Sequence, residues 1–180
     1  GRPRRRNVRS RHVAVRAQAR KLIIKAILAT DMTHHNDMVK DLADRAAESK
    51  PVEAVDVLQT FLHLADLGNC VVEWGLSKRW AFRVCEEATA QANREKELGL
   101  PVPPHVKLSA YNDHEVAARQ LIFLDGWIRP LFKAAAILFP TVKSRLDAIE
   151  ANRAACEAEV QPARLEPALP PCPPRAHREG

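Results

Sequence analysis

Residues 51–69 read Pro-Val-Glu-Ala-Val-Asp-Val-Leu-Gln-Thr-Phe-Leu-His-Leu-Ala-Asp-Leu-Gly-Asn. In this stretch Val55, Leu58, Leu62 and Ala65 recur at helical spacing, so the pattern predicts a helix from about Pro51 to Asp66 with those four on its apolar face. Gln59, His63 and Asp66 fall on another face, which puts a His and a carboxylate one turn apart. Gly68 then breaks the helix.

The neighbouring segments extend the reading to an all-α fold. No sustained period-2 alternation occurs, aromatics are 5%, and Ala, Leu, Glu, Lys and Arg fill the periodic segments. Helices are predicted over residues 13–30, His35–Ser49, Trp74–Leu98, Asp113–Ile128 and 141–158, with Pro130 bending or ending the fifth. In the first, Leu22, Ile23, Ala26 and Ile27 are expected to face other helices; in the fifth, Gln120, Phe123 and Trp127 share a face. Pro101–Pro104 is a loop.

Length and charge bound the rest. With 180 residues, 46% hydrophobic and 28% charged, the chain can build one real core. The net charge of +6 lies in the first 20 residues, where eight Arg and no acid leave −2 for the remaining 160. The reading is a basic, disordered arm over residues 1–18, a compact helical domain over 19–158, and a Pro-rich disordered tail over 159–180. An arginine cluster can bind phosphates or anionic lipid. No aromatic is interleaved with these arginines to stack on bases, however, so no nucleic-acid partner is expected.

Cys70, Cys85, Cys156 and Cys172 show no zinc spacing and read as reduced thiols. No apolar run is long enough to span a membrane, and a cytoplasmic location is expected, with regions outside this chain left open as a membrane attachment.

Four patterns occur in order: Ile23–Met32 (IIKAILATDM) with His35 shortly after, Leu62–Asn69 (LHLADLGN), Arg119–Phe123 (RQLIF) with Pro130-Leu131-Phe132 trailing, and Leu146–Arg153 (LDAIEANR). Together they resemble the C-terminal half of the catalytic domain of class I 3′,5′-cyclic nucleotide phosphodiesterases, over roughly residues 20–156. The resemblance implies hydrolysis of cAMP, cGMP or both to the 5′-monophosphate by two divalent metal ions, Zn with Mg or Mn.

It assigns Asp66 as a metal ligand, with His63 and Thr30 beside the catalytic centre. It assigns Gln120, Phe123, Asn69 and Met32 to the cyclic nucleotide substrate, Gln120 at the purine edge and Phe123 stacked on the ring. Read without the family, Thr30 and Asp31 are capping residues, His34 and His35 are structural or exposed, Phe123 is core and Gln120 is surface.

The family's early HNxxH and its HD pair have no counterpart in these residues. Gly68 and Cys70 replace the Ser and Pro of DLSNP, and the GDxE run appears as Ala92-Asn93-Arg94-Glu95. The ligand set for metals is therefore incomplete here. The alternative reading is a catalytically inactive, phosphodiesterase-like helical fragment acting as a binding or interaction module.

Overall fold

The computed structural model describes the backbone of residues 4–161 and the side chains of residues 12–161. Seven α-helices follow one another: α1 Arg4–Leu28, α2 His35–Glu48, α3 Ala54–Asp66, α4 Trp74–Glu97, α5 Asp113–Phe123, α6 Arg129–Leu138 and α7 Lys143–Val160. Short 3₁₀ turns occupy Met32–His34, Gly68–Cys70 and Pro140–Val142, and a π-helical turn, Leu124–Ile128, joins α5 to α6. Among the described residues there is no strand, so the all-α reading holds.

Helix ends follow local chemistry. At α5, Asn112 Oδ1 accepts from the Glu115 backbone N–H (2.9 Å) while Glu115 Oε2 accepts from that of Asn112 (3.0 Å), satisfying two end donors reciprocally. Glu73 caps α4 by accepting from Gly75 and Leu76. After α4, Gly99 takes a left-handed φ of +69°, which glycine adopts without steric cost.

Two helical boundaries differ from expectation. α1 starts at Arg4 rather than residue 13, so most of the arm read as disordered lies in a helix: residues 4–28 hold no Gly or Pro, and Arg is a good helix former. The expected 18/19 domain boundary thus falls inside α1. Residues 162–180, most of the expected tail, lie outside the described residues.

The chain also stays helical past Pro130. The proline sits in the first turn of α6, where its missing N–H costs little, and the π turn before it relieves the clash of its ring with the preceding carbonyls.

The core forms where α2 packs on α6 and α5 on α7, filled by Leu42, Leu124, Ile128, Leu131, Phe132, Ala135 and Ile149. α6 is central because its Ala134, Ala135 and Ala136 let neighbouring backbones come close. α1 packs on α3, and here the expected faces hold only in part: of the set expected on α1, Ala26 is buried and Leu22 half-buried. On α3 the buried residues are Thr60, His63 and Leu64, whereas Leu58 and Leu62 are exposed at 47% and 39%. On α1 the small Ala26 and Ala29 are buried, and Ile23 and Ile27 stand exposed. Apolar spacing located the helices, but the side covered by other elements is the one carrying small and polar residues.

Candidate functional site

A cleft of about 620 Å³ opens between the Gly68–Cys70 turn, α4 and the α5–π segment. Its lining includes Met32, Asn69, Gln120 and Phe123, which lie up to 91 residues apart in sequence and come from three separate elements; Trp127 joins them. Expecting Phe123 on one face with Gln120 and Trp127 agrees with this wall. Phe123 and Trp127 are half-buried, so their rings offer apolar surface to the opening.

Gln120 is nearly buried, at 8% exposure, and is held from behind. Its Nε2 donates to Cys70 Sγ at 3.4 Å, and the Cys70 thiol lies 3.5 Å from Asn69 Oδ1, to which it donates. Burial pushes the Cys70 thiol up to about 11, so it stays protonated at neutral pH. The Cys70 backbone is fixed in turn by Asn152 of α7, whose Nδ2 donates to the carbonyls of Cys70 and Val72, both at 2.9 Å.

On the outer rim, Arg119 Nη1 donates to the His105 carbonyl (2.8 Å), with its guanidinium over the Tyr111 ring at 5.1 Å from the centroid. Lys107 lies over the same ring and pairs with Glu115 at 2.6 Å. That pairing, with the Asn112 backbone, holds the Glu115 carboxyl below its ordinary value. Val84, Cys85 and Val116 complete the apolar wall. Sequence reading missed Arg119, His105, Cys70 and Asn152 as contributors, since their roles depend on partners far along the chain.

The residues read as catalytic are arranged differently. His63 is fully buried, and its Nε2 lies 3.0 Å from Nδ1 of His35, itself 1% exposed. The two facing nitrogens share one proton, so both rings are neutral together. Desolvation lowers both pKa values; for His63 the neighbouring His35 lowers it further, and for His35 the Trp127 backbone opposes the shift. His35 also packs against Trp127, with ring centroids 5.0 Å apart. The pair therefore backs onto the wall of the cleft.

Thr30 donates its hydroxyl to the Ile27 carbonyl at 2.8 Å. Asp31 accepts from Thr33 through both its N–H and its hydroxyl, which holds the Asp31 carboxyl below its ordinary value. Thr30 thus caps the end of α1, and Asp31 caps the start of the Met32–His34 turn. Asp66, at the last position of α3, is exposed.

Neither Asp66, His63 nor Thr30 lines the cleft. Among the described residues, no three His, Cys, Asp or Glu side chains gather where a metal ion could be held. A single exposed carboxylate beside an inward-turned histidine does not fit a two-metal centre, which needs several ligands per ion. No helix among the described residues is long and apolar enough to cross a membrane.

Comparison with known proteins joins this geometry to a family. Residues 7–149 match the family model described as 3′5′-cyclic nucleotide phosphodiesterase. A probable 3′,5′-cyclic-AMP phosphodiesterase of Caenorhabditis elegans is 33% identical over 150 residues, covering 77% of this chain and 22% of the relative. A dual specificity calcium/calmodulin-dependent 3′,5′-cyclic nucleotide phosphodiesterase of Mus musculus is 33% identical over 116 residues, covering 64% of this chain and 21% of the relative.

Among solved structures, the phosphodiesterase domain of a rhodopsin fusion protein from the choanoflagellate Salpingoeca rosetta superposes with a TM-score of 0.73 at 26% identity, covering 78% of this chain and 46% of that one. LmjPDEB1 in complex with IBMX gives 0.72 at 28% identity, covering 79% and 43%. The chain thus spans about a fifth of these curated relatives and under half of these solved domains. With the helical order and the family match in agreement, the chain belongs to the 3′,5′-cyclic nucleotide phosphodiesterase family, of whose catalytic domain it is a part.

Proposed function

We propose that this chain is the nucleotide-recognition part of an enzyme that hydrolyses 3′,5′-cyclic nucleotides to 5′-monophosphates. The observation that carries the reading is the convergence of Met32, Asn69, Gln120 and Phe123 on one cleft of about 620 Å³. The cleft is of a size suited to a small ligand, mostly apolar with a few polar groups. Gln120 offers a paired donor and acceptor to a purine edge, and Phe123 an aromatic face to its ring.

The described residues do not gather a hydrolytic centre. Asp66 supplies one carboxylate to a metal site whose remaining ligands come from outside these residues, with His63 holding the helix end that presents it. The ring of His63 takes no part in coordination in this reading, because it is fully buried, its Nε2 is engaged by His35, and it does not line the cleft. Taken by itself, the chain is a binding module.

The test is titration of the purified chain with cAMP and cGMP, followed by ¹H–¹⁵N NMR, beside the Gln120→Ala variant. Removing one partner of a buried polar contact costs about 1–3 kcal/mol. At about 1.4 kcal/mol per tenfold, Gln120→Ala is expected to weaken binding by roughly ten- to a hundredfold. Shifts scattered away from the cleft, or unchanged affinity in a folded Gln120→Ala variant, would show that the slot is misplaced.

A further inference from the structure

We propose that one side of α1, on which Arg5, Arg9, Arg16 and Arg20 are followed by Ile23 and Ile27, docks this chain on an anionic membrane surface. None of these residues lines the cleft, so the docking stands or falls apart from nucleotide binding.

α1 is one helix from Arg4 to Leu28. At about 100° per residue, the positions of Arg5, Arg9, Arg16 and Arg20 fall within an arc of roughly 60°. Ile23 and Ile27 fall in the same arc, so one side of the helix runs from basic to apolar over about 33 Å. The buried Ala26 and Ala29 lie on another side of the helix, which packs on α3. Residues 12–21 are exposed throughout, so no other described element covers them. A disordered arm would scatter these arginines; the helix lines them up.

Their charge is not neutralised among the described residues. Arg45, Lys78, Lys107, Arg129 and Arg153 each pair with a carboxylate, whereas Arg16 and Arg20 pair with none there. The first 20 residues hold eight Arg and no acid. Arg5 with Arg9, and Arg16 with Arg20, are like charges four apart, a spacing that disfavours a helix. Packing does not offset this over residues 12–21, so an anionic surface outside the chain is the complement that suits the helix.

A layer of anionic headgroups meets a straight row of arginines along its whole length, and each arginine near it adds to the attraction. The two isoleucines decide which anionic surface is meant. Both are more than half exposed and continue the arginine row, so they can enter the boundary between headgroups and acyl chains while the guanidiniums stay at the phosphates. A nucleic-acid backbone gives an isoleucine no such apolar layer, and no Phe, Tyr or Trp lies among the arginines to stack on bases.

The experiment co-sediments the whole chain with vesicles of mixed phosphatidylserine and phosphatidylcholine, and with vesicles of phosphatidylcholine alone. Binding is expected to the mixed vesicles only, and to weaken as salt is raised. Arg16→Gln/Arg20→Gln, at exposed positions where Gln keeps the helix propensity, is expected to weaken it by roughly ten- to a hundredfold. Ile23→Gln/Ile27→Gln leaves the charge as it is and is expected to weaken it by about tenfold.

Far-ultraviolet circular dichroism checks that both variants stay helical, and the comparison of the two vesicle types needs neither. Binding to neither vesicle, or to both alike, overturns the proposal. Unchanged binding by the folded arginine variant overturns the assignment to this side of α1. Tighter binding to duplex DNA of random sequence than to the mixed vesicles, unchanged in Ile23→Gln/Ile27→Gln, overturns the membrane and makes the partner a nucleic acid.

Discussion

His35 Nδ1 and His63 Nε2 face each other at 3.0 Å, with both rings buried and the outer nitrogens, His35 Nε2 and His63 Nδ1, without a hydrogen-bond partner among the described residues. One shared proton suits this arrangement. A second would place two donors head to head in a desolvated site. Both folded-state pKa values therefore lie below the ordinary 6.5.

The sign of the pH effect follows. When the folded pKa is depressed, the unfolded chain takes up protons first, so stability is full above about pH 6.5 and falls as the pH drops below it. Thermal unfolding followed by circular dichroism is expected to give a lower Tm at pH 5.5 than at pH 7.5. The His35→Phe/His63→Phe double variant flattens that slope. A Tm equal at both pH values in the unsubstituted chain sinks the account. The carboxyls of Asp31 and Glu115, whose pKa values are also depressed, add their own loss only at lower pH, near the ordinary carboxylate range.

Asn152 bridges α7 to the turn after α3 across 82 residues of sequence, giving both protons of one amide to two carbonyls. Asn152→Ala removes both donors from a residue that is 1% exposed. At about 1–3 kcal/mol for a buried acceptor left unpaired, with partial relaxation of the turn, the variant is expected to lose roughly 2–4 kcal/mol in urea unfolding. A loss within the scatter of ordinary surface substitutions, about 0.5 kcal/mol, means the turn holds without this contact.

The sequence carried the helices because a helix is a local object: spacing, caps and breakers lie within a few residues of one another, as in the Asn112–Glu115 box. What lies far apart was not legible. The apolar row Val55, Leu58, Leu62 and Ala65 identified α3 but not its inward side, because that depends on which elements cover it. The family pattern puts His63 beside the metal centre, and nothing local shows that His35, 28 residues earlier, engages its ring. The cleft residues were named from family patterns, which already encode the fold. In those patterns Cys70 is only a departure, yet its sulfur is the group behind Gln120.

Phe123 offers a different kind of contact from Gln120, because a ring face stacks on any base. Phe123→Ala is expected to weaken cAMP and cGMP alike, by about 1–3 kcal/mol in binding free energy. The ratio of the two affinities, measured by the same titration, stays as it was. A change in the ratio with little change in either affinity would instead place Phe123 in reading the base edge.

Asp66 provides the separation between recognition and chemistry. Its carboxylate is exposed at the end of α3 and has no ion pair or hydrogen bond among the described residues, so the fold does not depend on it. Asp66→Asn is expected to change unfolding stability by no more than about 0.5 kcal/mol, as for an ordinary surface substitution, and to leave nucleotide binding in the cleft intact.

Turnover is a separate matter, because no three candidate ligands converge among the described residues. The purified chain, supplied with Zn²⁺ and Mg²⁺ or Mn²⁺, is expected to show no chelator-sensitive hydrolysis of either cyclic nucleotide. In a longer protein that supplies the missing ligands, the same substitution abolishes hydrolysis and spares binding. Chelator-sensitive hydrolysis by the chain alone, lost in Asp66→Asn, would mean that these 180 residues hold a complete set of ligands.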